Sequence, residues 1–176
     1  MKKDTLKSVV VLTAICLVIA IAMSATNLLT APIIKEAQEK AEKEALFIVL
    51  PTGHDFEKLE LDGLSENVSA IYRDVDGSGY AIMLSVAGYD ASKPMSIAVG
   101  ISNEGRISSC YVVSCSGETS GIGTKIAGED FLYSFVGVDE TLLGVDAISG
   151  ATISSSAFIE AVRDAFDAFK IAKGGE

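Results

Sequence analysis

The sequence predicts an α+β domain carried behind a single N-terminal membrane-spanning helix. Three observations predict it: an uncharged apolar run over residues 9–29, two pairs of β-rich segments joined by glycine-containing turns, and an amphipathic stretch near the C-terminus. The chain has 176 residues, room for one domain of ordinary size plus an appendage, and its 49% apolar content supports a packed core.

The run over 9–29 contains no charge. At about 1.5 Å per residue, a helix of this length covers roughly 30 Å, the thickness of a bilayer core. A cleaved signal peptide has a shorter apolar region and ends in a small-x-small site. Ser24-Ala25-Thr26 and Thr30-Ala31-Pro32 match that site poorly, so the run reads as a retained anchor. It is hydrophobic on all faces, which favours a span over a core helix. Lys2, Lys3 and Lys7 precede it and predict a cytoplasmic N-terminus with the remaining domain extracytoplasmic, at the cell membrane. The expected organisation is 1–30 for the N-terminus and span, 31–51 for a juxtamembrane helix, and 52–176 for the outer domain.

Pro32 opens a Lys-, Glu- and Ala-rich helical stretch that turns apolar at Leu46 and stops at Pro51. Its charges read as a solvated face or as a docking surface. Segments 70–75 and 80–87 flank Asp76-Gly77-Ser78-Gly79, and 95–102 and 106–114 flank Asn103-Glu104-Gly105, giving two hairpins and a four-stranded antiparallel sheet with one face to cover. Two segments, 128–136 and 154–172, can supply the cover. In the second, Phe158, Val162, Ala165, Phe166 and Phe169 form one apolar stripe at helical spacing.

Composition excludes several functions. Setting aside Lys2, Lys3, Lys7 and Asp4 from the 14 basic and 24 acidic residues leaves 11 basic and 23 acidic after the span, a balance that repels nucleic acid and anionic lipid. The single histidine, His54, rules out a multi-histidine zinc site and reads as a loop residue. Cys16 lies in the span. Cys110 and Cys115 sit about 16 Å apart if extended, beyond disulfide reach, and read as small buried hydrophobes. Asn67-Val68-Ser69 matches a glycosylation acceptor, a pattern that also arises by chance.

Two loops can carry chemistry. Residues 114–126 (SCSGETSGIGTKI) hold three glycines together with Glu118, Thr119, Ser120, Thr124 and Lys125, a composition suited to a ligand loop or to a flexible connection. Lys125 is followed by Ile126, so this is not a phosphate-cradling P-loop. Residues 146–158 (DAISGATISSSAF) place Thr152 among Ser149, Gly150 and Ala151 where a helix should begin. Helix capping by Thr152 or Ser154 is one account. An anion site at the positive end of the helix, suited to a phosphate, is the other.

The stretch from Asp146 to Ser155 resembles the flavinylation motif of the FMN-binding domain family, and 118–126 is similar to the family's Glu-Thr-Pro-Gly-Leu-Gly loop. With its N-terminal span, nearly the whole chain resembles the G subunits of Rnf complexes, which couple ferredoxin-to-NAD electron transfer to sodium or proton translocation. The C subunits of sodium-pumping NADH:quinone reductases share both motifs but are usually longer.

The resemblance implies a covalent FMN on Thr152 through a phosphoester, attached from FAD by a flavin transferase. Ser149, Gly150 and Ala151 would shape the turn, and the helix near Ser154 would stabilise the phosphate. Glu118, Thr119 and Gly121 would line the site, while Lys125 either pairs with the phosphate or is a surface lysine. Ser116 and Ser120 stand where the family often has histidine and proline. No acid/base pair or activated nucleophile is evident, so the chain is expected to be an electron-carrying station among other membrane subunits, without independent turnover. A membrane-anchored binding module without redox function and a stand-alone exported flavoprotein remain the rival readings.

Overall fold

The structure, a computed structural model, describes residues 2–174, with side chains from Lys7 onward. The chain divides into two compact units, the first ending at Lys40 and the second beginning at Ala41.

Helix α1 spans Lys2–Val49 and makes up the described part of the first unit. Sequence reasoning separated a span from a juxtamembrane helix at Pro32, whereas the structure carries Pro32 inside one helix. Proline removes one backbone donor there, and the flanking turns keep the helix running. Among the described residues this is the one helix long and apolar enough to cross a membrane, and none of its apolar window is buried. The hydroxyls of Thr26 and Thr30 donate to the carbonyls of Ala22 and Thr26 at 2.9 and 3.0 Å. Polar groups satisfied within the helix suit a surrounding that offers no hydrogen bonds.

The second unit is a five-stranded antiparallel sheet in simple sequential order: β1 (Phe56–Leu59), β2 (Val68–Asp74), β3 (Gly79–Val86), β4 (Met95–Ser102) and β5 (Ile107–Ser114). The four expected strands are present. Strand β1 was not foreseen, because Phe-Glu-Lys-Leu is short, with its two central residues charged and exposed. The short helix α2 (Glu129–Tyr133) and the long helix α3 (Thr152–Gly174) pack across one face.

Alternation along the strands sorts side chains between two cores. Tyr80, Ile82, Leu84, Ile97, Val99 and Ile101 face α3 and its stripe of Phe158, Val162, Ala165, Phe166 and Phe169. Phe158 is fully buried, with its ring 5.3 Å from that of Phe131 and 5.2 Å from that of Phe135.

The opposite face is covered as well. Ala45, Leu46, Val49 and Leu50 pack on Ala70, Ala81, Met83 and Ala98. The closest approach is at Gly100, where a Cβ would come within 3.1 Å of the Val49 Cβ and meet its backbone closer still. The end of α1 is therefore core of the second unit, which starts at Ala41 rather than at residue 52.

Asp74, 1% exposed, fastens the β2–β3 hairpin. Its carboxylate accepts hydrogen bonds from the Ser78 hydroxyl at 2.6 Å, the Ser78 amide at 2.9 Å and the His54 amide at 3.1 Å. His54 is otherwise an exposed loop residue. The Asn67 side-chain amide donates to Asp164 of α3 at 2.7 Å, which gives it a packing role in the fold. Cys110 is buried, and burial pushes its thiol well above the ordinary range. Cys115 is partly buried, and burial and then the Glu118 charge raise its thiol too.

Two outcomes follow for stability. Phe158→Ala should cost about 3–5 kcal/mol, because the surrounding aromatic rings cannot collapse into the space; denaturant unfolding of the detergent-solubilised chain measures it. Burial pushes the Asp74 carboxyl up, but the hydrogen bonds from Ser78, His54 and Asp55 outweigh it and hold the group below the usual 3.8. A depressed folded value means the stabilisation is complete above 3.8 and is lost as the pH falls through the folded value. Unfolding midpoints taken at a series of acidic pH values should fall more steeply in the wild type than in Asp74→Asn, since Asp90 and Asp139 are also depressed and titrate in both.

Candidate flavin site

Three segments meet at the N-terminus of α3: the exit of β3 at Gly88 and Tyr89, the glycine-rich loop over 118–124, and the turn that enters the helix. They enclose a cavity of about 460 Å³ lined by Tyr89, Thr119, Ile122, Gly123 and residues 150–154. That volume lies within the usual range for small-molecule sites.

The turn into α3 is held by Ser155. Its hydroxyl accepts the Ile148 amide at 3.0 Å and donates to the Ala151 carbonyl at 2.8 Å, while the Ala151 amide donates to the Ile148 carbonyl at 3.0 Å. Gly150 sits at φ +81°, a left-handed conformation that side chains disfavour, and Ala151 is buried. The small residues thus meet the backbone and packing demands of one tight turn.

Capping does not account for the hydroxyls at 152 and 154. The position before the helix is Ala151, which has no side-chain oxygen, and the Ser154 hydroxyl donates to Glu118 instead. The amides of Thr152, Ile153 and Ser154 precede the first intrahelical bond, made by the Ser155 amide to Ala151 at 3.0 Å, and have no acceptor among the described residues. No acidic residue occupies the first turn of this 23-residue helix, although the chain is acidic overall. The positive end of the helix opens on the cavity, and the acidic group beside it is the Glu118 carboxylate, bonded to Ser154. The exposed Thr152 side chain stands at that point.

Glu118 organises the surroundings. It is 7% exposed; one carboxylate oxygen accepts the Tyr89 amide at 3.0 Å and the other accepts the Ser154 hydroxyl. Space for it comes from Gly88 and Gly123. A Cβ on Gly123 would lie 2.7 Å from the Glu118 carboxylate and 2.9 Å from the Ser154 hydroxyl, and one on Gly88 would overlap the carboxylate outright. Gly121 is at the loop apex with φ +75°, its amide donating to the Thr124 hydroxyl at 2.9 Å.

Of the residues singled out in the sequence, Thr152, Gly150, Ala151, Ser154 and Thr119 line the cavity. Glu118 braces it from behind. Ser149 and Gly121 are exposed nearby without lining it. Lys125 lines a separate depression of about 500 Å³ with Asp146 and Ile148, so the geometry gives it no contact with the Thr152 cavity. Tyr89, Ile122, Gly123 and Ile153 also form the wall and were not foreseen. Tyr89 comes from a strand exit distant in sequence; Ile122 and Ile153 were legible as large apolar residues inside otherwise polar, small-residue motifs.

The arrangement fits FMN. It offers unfilled amides and a helix terminus for a phosphate, a reachable hydroxyl beside them, and apolar walls for a planar ring.

Removing the brace should be costly. Glu118→Ala leaves the buried Ser154 hydroxyl and the Tyr89 amide without their acceptor, which corresponds to about 1–3 kcal/mol. Urea unfolding should show the loss, and Ser154→Ala, which leaves one oxygen of the buried carboxylate without its donor, should be destabilised as well.

Comparison with known proteins agrees with this geometry. A family model for the FMN-binding domain matches residues 88–167, a span that begins at the strand exit and contains both loops. A second model, the RnfG N-terminal region, matches residues 1–49. The G subunit of the ion-translocating oxidoreductase complex of Methanosarcina acetivorans is 33% identical over 179 residues, covering 94% of each chain. With its cavity, its helix terminus and its long apolar helix accounted for together, the chain belongs to the family of G subunits of ion-translocating oxidoreductase complexes.

Proposed function

We propose that the chain is a membrane-anchored, electron-carrying component of an ion-translocating oxidoreductase complex, with FMN joined to Thr152 by a phosphoester. The observation that carries this reading is the exposed Thr152 at a helix start whose first amides face a cavity without acceptors. Phosphate oxygens would take those hydrogen bonds, and the helix terminus would offset their charge. Bound there, FMN would supply reversible electron transfer, the protein setting its position and surroundings.

Attachment balances as a transfer from FAD. The Thr152 hydroxyl oxygen forms a bond to the FMN phosphorus, the bond to the AMP phosphate oxygen breaks, and AMP and the hydroxyl proton leave. A flavin transferase would catalyse this, and the exposure of Thr152 gives it access. Glu118 acts at one remove, keeping Ser154 and the Tyr89 backbone in place. Thr119 adds a hydroxyl to the wall.

In the complex, α1 would cross the bilayer and pack against other membrane subunits. Lys7 and the earlier Lys2 and Lys3, whose side chains lie outside the described residues, would keep the N-terminus in the cytoplasm and the flavin domain outside. The match of residues 1–49 to the RnfG N-terminal region supports a place in an Rnf-type complex, between ferredoxin and NAD, over the sodium-pumping quinone reductase.

Denaturing electrophoresis tests the reading. Full-length chain co-produced with an active flavin transferase should give a fluorescent flavin band, absent from Thr152→Ala. A dark wild-type band, with the transferase active on a second target, overturns it.

A further inference from the structure

Three of the residues lining the cavity are large, apolar and open to solvent: Tyr89 at 65%, Ile153 at 59% and Ile122 at 48% exposure. Among the described residues after Leu50, the other exposed large hydrophobics are Val75, Tyr133, Val136, Leu143 and Ile171, none of which borders this cavity. Scattered apolar residues on a surface need no explanation, whereas several converging on one concave site mark a contact.

Each of the three comes from a different segment: Tyr89 from the β3 exit, Ile122 from the glycine-rich loop, Ile153 from the first turn of α3. Two of these segments are joined through the Glu118 carboxylate, which takes the Tyr89 amide and the Ser154 hydroxyl, and Glu118 itself belongs to the third. The Tyr89 backbone is thereby fixed at the wall. Its phenol takes part in no hydrogen bond among the described residues, and the side chain is largely exposed.

We propose that Tyr89 is the aromatic wall against which the flavin ring lies, with Ile122 and Ile153 as its apolar rim. The inference rests on the FMN reading above and deepens it. The cavity that Thr152 lines is the space next to a phosphate held there, and Tyr89 is the only aromatic side chain lining it among the described residues. Flat aromatic surfaces pair favourably beyond their area burial, which suits a ring system lying on a phenol. Tyr89 is a positioning residue, since the attachment chemistry at Thr152 does not involve it.

A phenol touching a flavin quenches its fluorescence. The excited flavin takes one electron from the phenol and returns it on recombination, so neither group is changed. The test uses the full-length chain co-produced with the transferase, as wild type, Tyr89→Phe and Tyr89→Leu. Flavin load is read from the denatured band, and fluorescence per flavin is read on the native protein in detergent. Both substitutions keep the backbone amide that bonds Glu118, so the site's brace is retained.

The wild type should be dim when native and brighten several-fold on denaturation, while both variants should already be several-fold brighter when native. Native fluorescence per flavin equal to wild type in the loaded variants would place the ring elsewhere and overturn the inference, leaving the FMN reading intact. An unloaded wild type, beside an active transferase, would overturn both.

Discussion

The buried Glu118 carboxylate is the interaction on which the candidate site depends. An ionisable group is costly to bury unless its oxygens are satisfied, and here one takes a backbone amide from the β3 exit and the other a hydroxyl from α3. The same requirement that satisfies the carboxylate fixes where those two segments stand relative to the glycine-rich loop. Gly88 and Gly123 are glycines because a side chain at either would occupy the carboxylate's place. Residues distant in sequence are thereby made into one constraint.

That constraint works against a rigid background. The sheet is covered on both faces, by α3 on one and by the end of α1 on the other, so β3 and β4 are buried along almost their whole length. Helix α3 contributes twice. Its apolar stripe anchors it to the sheet, and its first turn, held by Ser155 rather than by a capping side chain, presents amides to the cavity. No acidic side chain belongs to that turn, and the carboxylate bonded to it is the buried Glu118.

Much of this was legible in the residues. Alternation and turn chemistry located β2 to β5 within two residues at each end, because buried strands with glycine turns leave a strong pattern. The α3 stripe was equally plain. Strand β1 escaped because its four residues Phe56–Leu59 carry charge at both exposed positions and are too few to show a period. The role of Ala45 to Leu50 escaped for another reason: a helix that turns apolar at its end looks the same whether that end meets a partner, a membrane or its own sheet.

By itself the sequence determined the class of the domain, the apolar helix before it, a helix start near Ser154 and the two motifs that carry the family resemblance. Local patterns suffice for these, since propensity, periodicity and turn chemistry act over a few residues. Only the tertiary structure decided which motif residues meet. It set Glu118 behind the cavity as a brace, turned Ser154 away from capping, moved Lys125 to a neighbouring depression and brought in Tyr89 from 63 residues before Thr152. Such choices depend on contacts between segments far apart in the chain, and those exist only once the sheet and α3 have packed.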